Sequence, residues 1–145
     1  MEKNIELLNV LYQNAEMGII GIEDVLYKVH HPKLLKELEI EKKEYQKIIK
    51  NVKKMLKSKH GQSKPINMFA KISSTLFSDM KLMKNESDKL IIKMMIEGSY
   101  KSIGILTTKK LEYDDAELDI KEFLDLFIKT LNKNISNLIK IDKIV

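Results

Sequence analysis

The glutamates of this sequence are its best candidates for chemistry. Glu41 and Glu44, in Glu41-Lys-Lys-Glu44-Tyr45, are three residues apart and share one face of a helix. Glu16, in Tyr12-Gln-Asn-Ala-Glu16, and Glu97, in Met94-Met-Ile-Glu97, stand in two other segments of helical periodicity. Carboxylates pointing inward from several helices of a bundle are what a dimetal carboxylate site uses. Such a site takes a Glu from each of two helices and a Glu-x-x-His from each of the other two. Glu41 and Glu44 have that spacing, with glutamate in place of histidine, and no Glu-x-x-His occurs anywhere in the chain. Where the last helix should supply ligands, Lys129-Thr-Leu-Asn132-Lys-Asn134 offers neither a carboxylate nor a histidine. Glu16, Glu41, Glu44 and Glu97 are therefore candidates for a half-present iron or manganese site. The opposing expectation is no cofactor, with Glu41 and Glu97 hydrogen-bonded in the core, paired with lysine, or less buried than their spacing implies. Tyr12 and Tyr45 are the candidate partners. An unpaired buried carboxylate is costly, so one of these accounts is needed.

Other chemistries find less support. The chain of 145 residues has no cysteine, which excludes disulfides, thiolate metal sites and cysteine nucleophiles. His30, His31 and His60 fall at expected helix ends, where capping explains them better than ligation. There is no G-x-G-x-x-G, Walker loop, H-E-x-x-H or G-x-S-x-G. The net charge of +5 comes from 26 lysines and no arginine, and aromatics are 6%. Arginine is the better bidentate reader of phosphate and guanine, and stacking needs aromatic rings, so nucleic-acid binding is not expected. The lysine stripe Lys43, Lys47, Lys50, Lys54 and Lys57 is expected to be a solvated outer face, weak binding of an acidic partner or a nucleic-acid backbone being its alternative.

The elements that position these residues are helices. Ile5, Leu8, Tyr12, Ala15, Ile19, Ile22, Leu26 and Val29 step by three and four, predicting one helix over 4–30, with Leu7, Leu11, Gly18 and Val25 on an adjoining stripe. Pro32 ends it, because the residue before proline is pushed out of the helical region. Leu34, Leu38, Glu41, Tyr45, Ile48, Val52 and Met55 continue the rhythm over 33–58, with Gly61 the expected left-handed stop. Phe69, Ile72, Leu76, Met80 and Met83 predict an amphipathic segment over 66–83. The next helix should start near Asn85–Ser87 and run to about Leu111. It is apolar around much of its circumference, so it should be buried against several neighbours. Its Gly98, Ser99, Ser102 and Gly104 should admit a second backbone closely. A last helix is expected from Asp114, with Ile120, Leu124, Phe127, Leu131, Asn134, Leu138 and Ile141 as its seam. The expected fold is an all-α, ferritin-like antiparallel four-helix bundle over 1–145, as one domain. A crossover helix between the second and third long helices would make those two run parallel.

The order of Asn14-Ala-Glu16-Met-Gly18, Pro32-Lys-Leu-Leu-Lys-Glu-Leu, Glu41-Lys-Lys-Glu44-Tyr and Met95-Ile-Glu97-Gly98-Ser resembles a bacterial ferritin-like domain family of unknown function. Spore-coat-F-like proteins of Firmicutes are a more distant analogue. The resemblance implies a four-helix bundle with a crossover helix, and Glu16 and Glu44 best match the family's acids. Members that keep metal ligands carry acids around Ser99 and a His or Glu on the last helix, where this chain has Asn134. The expected role is non-catalytic association through helices, as a homodimer. The start MEKNIELLNV shows no signal peptide and no stretch approaches a membrane span, so a cytoplasmic location is expected.

Overall fold

The computed structural model describes residues 2–63 and 87–145. Its elements are four long helices: α1 over Glu2–Val25, α2 over Pro32–Ser58, α3 over Asp88–Glu112 and α4 over Leu118–Asp142. Among the described residues there is no strand, and no helix is long and apolar enough to cross a membrane. The amphipathic segment expected over 66–83 lies outside them.

The helix ends follow local chemistry, not always at the expected residue. α1 stops at Val25 and tightens into a 3₁₀ turn over Leu26–Lys28, shorter than the helix over 4–30 that periodicity suggested. His31 caps α2: its side chain accepts from the Lys33 N–H, and Pro32 takes the first helical position, where no N–H is needed. Ser87 caps α3 by accepting from the Leu90 N–H at 3.1 Å. α4 begins at Leu118, later than the Asp114 start expected, and its cap residue Glu117 makes no side-chain cap bond. That junction is held from outside: Asn4 Oδ1 accepts from the Glu117 N–H at 2.9 Å, and Asn4 Nδ2 donates to Glu117 Oε1 at 3.1 Å.

The stop after α2 reverses an expectation. The left-handed residue is His60, at φ 59°, not Gly61. The Gly61 N–H reaches the Leu56 carbonyl at 2.8 Å and the His60 N–H reaches that of Lys57 at 3.1 Å, the paired bonds of a Schellman motif. Gly61 is needed for space instead. A Cβ there would lie 3.0 Å from Ile5 of α1 and 3.1 Å from Leu56. An exposed non-glycine residue in the left-handed region carries a steric cost. His60→Gly is therefore expected to stabilise the chain by about 1 kcal/mol, read as a higher urea midpoint at unchanged slope. A lower midpoint would show that the histidine ring contributes more than its backbone costs.

Polar ties at the two ends fix the helix directions. At one end Asp88, at the start of α3, accepts from the backbone N–H groups of His30 and His31 at 2.9 and 2.8 Å. At the other, the Tyr113 hydroxyl, just past α3, donates to Glu6 of α1 at 2.6 Å, and Lys59 pairs with Glu117. So α2 and α3 run the same way, and α1 and α4 run opposite to them. The close packings are α1 on α2, α3 on α4, α1 on α3 and α2 on α4, all antiparallel.

The core fills the space between the helices. α2 buries Leu34, Leu38, Glu41, Tyr45, Ile48 and Val52, the expected seam, and ends it on Leu56 rather than Met55. α4 buries Ile120, Leu124, Phe127, Leu131, Asn134 and Leu138, adding Ile135. α1 buries both of its stripes, because it faces α2 and α3 together. α3 departs from expectation. It buries a narrow line through Ile91, Ile92, Met94, Ser99, Ser102 and Leu106 and leaves Tyr100 exposed. Gly98 and Gly104 have open space where a Cβ would stand, so neither marks a close backbone approach.

Candidate functional site

The regular seam of α2 carries a carboxyl into the core. Four residues past Leu38 would lie Lys42; three past it lies Glu41, and the seam resumes at Tyr45. Glu41 is 2% exposed; its Oε2 accepts no hydrogen bond, and its carboxyl lies within hydrogen-bonding reach of Glu37 on the same helix. Burial, and then the neighbouring Glu37 and Glu44, push its carboxyl up to about 10; Lys133 pulls weakly the other way. Glu41 is thus an uncharged acid at neutral pH, a hydrogen-bond donor as well as an acceptor. Glu37 and Glu44 look across to α4. Asn137 donates to Glu37 at 3.4 and 3.5 Å, and Lys133 pairs with Glu44.

Tyr45 lies one turn beyond Glu41. Burial, and then the Glu41 charge, hold its phenol well above the usual value, and its hydroxyl faces Ser99 of α3 and Asn134 of α4. The ring packs at 6.2 Å and 56° against Phe127. It also covers Gly18 of α1, where a Cβ would stand 2.6 Å from the ring. Asn134 is completely buried, and neither Nδ2 nor Oδ1 makes a hydrogen bond. Helices α2, α3 and α4 thus bring polar side chains to the middle of the bundle.

Beside this centre is a cavity of about 310 Å³ between α1, α2 and α3. Met17, Ile22, Met94, Met95 and Ile105 give it apolar walls, and α2 contributes Glu41 and Tyr45. Asn14, Ser99, Ser102 and the solvent-exposed Lys101 complete the polar lining. The bonds of the first three run within the walls. Ser102 Oγ donates to Asn14 Oδ1 at 2.8 Å, Asn14 Nδ2 to the Val10 carbonyl at 2.8 Å, and Ser99 Oγ to the Met95 carbonyl at 2.9 Å.

The four candidate metal ligands are not gathered. Glu41 is in the core, Glu44 is half-buried and tied to Lys133, Glu16 is half-buried on α1, and Glu97 is exposed. Glu97 faces outward because it lies two residues from both Met95 and Ser99, about 200° around a helix of 3.6 residues per turn. Among the described residues, no group of three or more His, Cys, Asp or Glu could hold a metal ion. The donors present do not fit a dimetal carboxylate centre. Tyr45, not Tyr12, is the tyrosine beside Glu41; Tyr12 lies under Lys53.

Sequence reasoning put Asn134 in the seam but saw only a missing ligand. It passed over Asn14, although this residue falls on the stripe of Leu7, Leu11, Gly18 and Val25. Ser99 and Ser102 stand out in the sequence for their small size, and in the structure for their hydroxyls. The lysine stripe is exposed along α2, as expected.

No known protein family matches this chain, and no curated protein or solved structure does either.

Proposed function

We propose that this chain is a non-catalytic helical bundle, ferritin-like in its helix order, that binds a small and largely apolar molecule between α1 and α3. The observation that carries this reading is Glu41. A polar group without a partner costs stability in a core, and a chain keeps such groups where they meet something else. Here a carboxyl with an oxygen that accepts no hydrogen bond belongs to a residue that lines a cavity. About 310 Å³ of mostly apolar wall with a few convergent polar groups is the usual form of a small-molecule site. The ferritin-like description is supported by the parallel course of α2 and α3, which a single long crossover produces. The non-catalytic description is supported by the state of the polar lining: a neutral acid, a phenol held in its neutral form, an engaged amide, two engaged serine hydroxyls and a solvent-exposed lysine.

The neutral probe 2-phenylethanol tests the site by amide NMR. Saturable shifts are expected at Gly18, Gly21, Gly98 and Ser102, with a Kd of about 1 mM or tighter, the range of simple fragments. Gly98 lines the cavity with open space at its Cβ, so Gly98→Leu should fill it and abolish the shifts in a folded protein. Absence of saturable shifts in the wild type, or their survival in Gly98→Leu, would overturn the reading.

A further inference from the structure

The charge of the ligand is written in the hydrogen bonds of the cavity, taking the α1–α3 cavity as a binding site. Ser99 and Ser102 have each given away their hydroxyl hydrogen, to Met95 and to Asn14. Both therefore keep lone pairs, and Asn14 is engaged through Oδ1 and Nδ2 alike. The Tyr45 hydroxyl faces Ser99 and Asn134, so the accepting capacity left in the walls is that of Ser102 and the Glu41 carboxyl. Glu41, 2% exposed, adds its carboxyl to the same lining. The charges around it lean negative. From α2, Glu37 and Glu44 flank it; from α4, Lys133 answers them but is committed to Glu44. From α3, Lys101 lines the cavity, yet its side chain is solvent-exposed, where screening weakens it. No residue of α1 in the lining is charged.

We propose that the cavity selects a protonated primary amine with a small apolar body, its ammonium set against the Glu41 carboxyl and its body against the methionine and isoleucine walls. As the amine enters, the Glu41 O–H bond breaks and its proton passes to solvent. The carboxylate left behind pairs with the ammonium, which keeps its own three hydrogens. No electron changes hands, and one proton is released for each amine bound. The acid is poised for this exchange: without a ligand, burial and the two flanking glutamates keep it protonated, at about 10. An ammonium returns the favourable partner that burial removed.

Calorimetry of the full chain with phenethylamine and its neutral isostere 2-phenylethanol tests this at pH 6, 7 and 8, in two buffers of different ionisation enthalpy. The amine stays protonated throughout that range. Its affinity should rise about tenfold per pH unit, because each binding event releases one proton. The buffer dependence of the heat should report that proton directly. In Glu41→Gln, checked for folding by circular dichroism, the slope with pH and the proton release should both vanish. If the alcohol binds and the amine binds no better, or binds without releasing a proton, the amine proposal falls and the cavity stands as a neutral site. If neither probe binds, the cavity reading falls with it.

Discussion

Glu41→Leu is expected to stabilise the chain at pH 7 by about 3 kcal/mol, the cost of keeping a carboxyl protonated that would ionise in the unfolded chain. The unfolded value is 4.5 and the folded value about 10. The folded state therefore holds one more proton between those values. The sign follows: stability from this group is full below about pH 4.5, falls as pH rises, and levels off beyond about 10. The slope is about 1.4 kcal/mol per pH unit, and 4.5 to 7 spans enough of it to give the figure above. Leucine also fills a seam position with apolar volume, a replacement that is often stabilising where a buried charge or unmet polar group stood. The check is urea unfolding of wild type and mutant at pH 5, 7 and 8.5. The wild type should weaken steadily across the series, and Glu41→Leu should not share that decline. Among the described residues, the other perturbed groups stay outside this window. Lys3 and Lys59 are raised by exposed partners and titrate above it, and Asp115 is lowered by Lys3 and titrates below it. A wild type of constant stability from pH 5 to 8.5 would show that Glu41 is not held neutral.

Gly18→Ala is expected to destabilise by about 1–3 kcal/mol, as an overpacked core does. In the middle of a helix, glycine to alanine ordinarily gains about 1 kcal/mol. The sign inverts here because the added methyl would stand 2.6–2.8 Å from three carbons of the Tyr45 ring. That ring cannot retreat easily, since Phe127 packs on it at 6.2 Å and it is only 5% exposed. Gly104→Ala is the matched control. It lies in α3 with open space at its Cβ, so it should gain the ordinary amount. Thermal melts of the two mutants should move in opposite directions. Movement in the same direction would mean that the α1–α2 contact at Tyr45 yields more than its geometry suggests. Gly18→Ala with Tyr45→Phe would not rescue, because the clash is with ring carbons and not with the hydroxyl.

What was legible in the sequence depended on contrast. α2 could be placed residue by residue because lysines fill the positions its apolar seam leaves, and Glu41 stood out as a break in that seam. α4 was equally clear along its seam. Its start was missed because Asp114 and Asp115 imitate a cap, while the real junction is tied from α1 by Asn4, over a hundred residues away. α3 gave no contrast. Apolar residues surround it, so periodicity could not say which face turns inward, and Glu97 was assigned inward with it. The site was half legible for the same reason. Glutamate and tyrosine in a seam are loud signals, whereas Asn14, Gly18, Ser99 and Ser102 are small and weakly polar. Which of them meet in space depends on the rotation of α1 and α3, and that is set by tertiary packing. His60 and Gly61 show a related limit: either residue can end a helix, and only the contact with Ile5 decides which one must be glycine.

The polar ties at the bundle ends carry a consequence for the order of events in folding. Each antiparallel pair, α1 with α2 and α3 with α4, closes over a turn of a few residues, an inexpensive loop in entropy. Joining the pairs must instead restrain the chain from Gln62 to Asp88, a longer loop whose closure is slower. Asp88 on the amides of His30 and His31, Asn4 on Glu117 and Glu6 on Tyr113 all span the two pairs, so they form only once that docking is complete. Interactions made after the barrier leave the folding rate almost unchanged and slow escape from the native state. These clasps are therefore latches. As contacts made late, they are expected to lengthen the life of the assembled bundle, while the apolar seams set how fast it is reached.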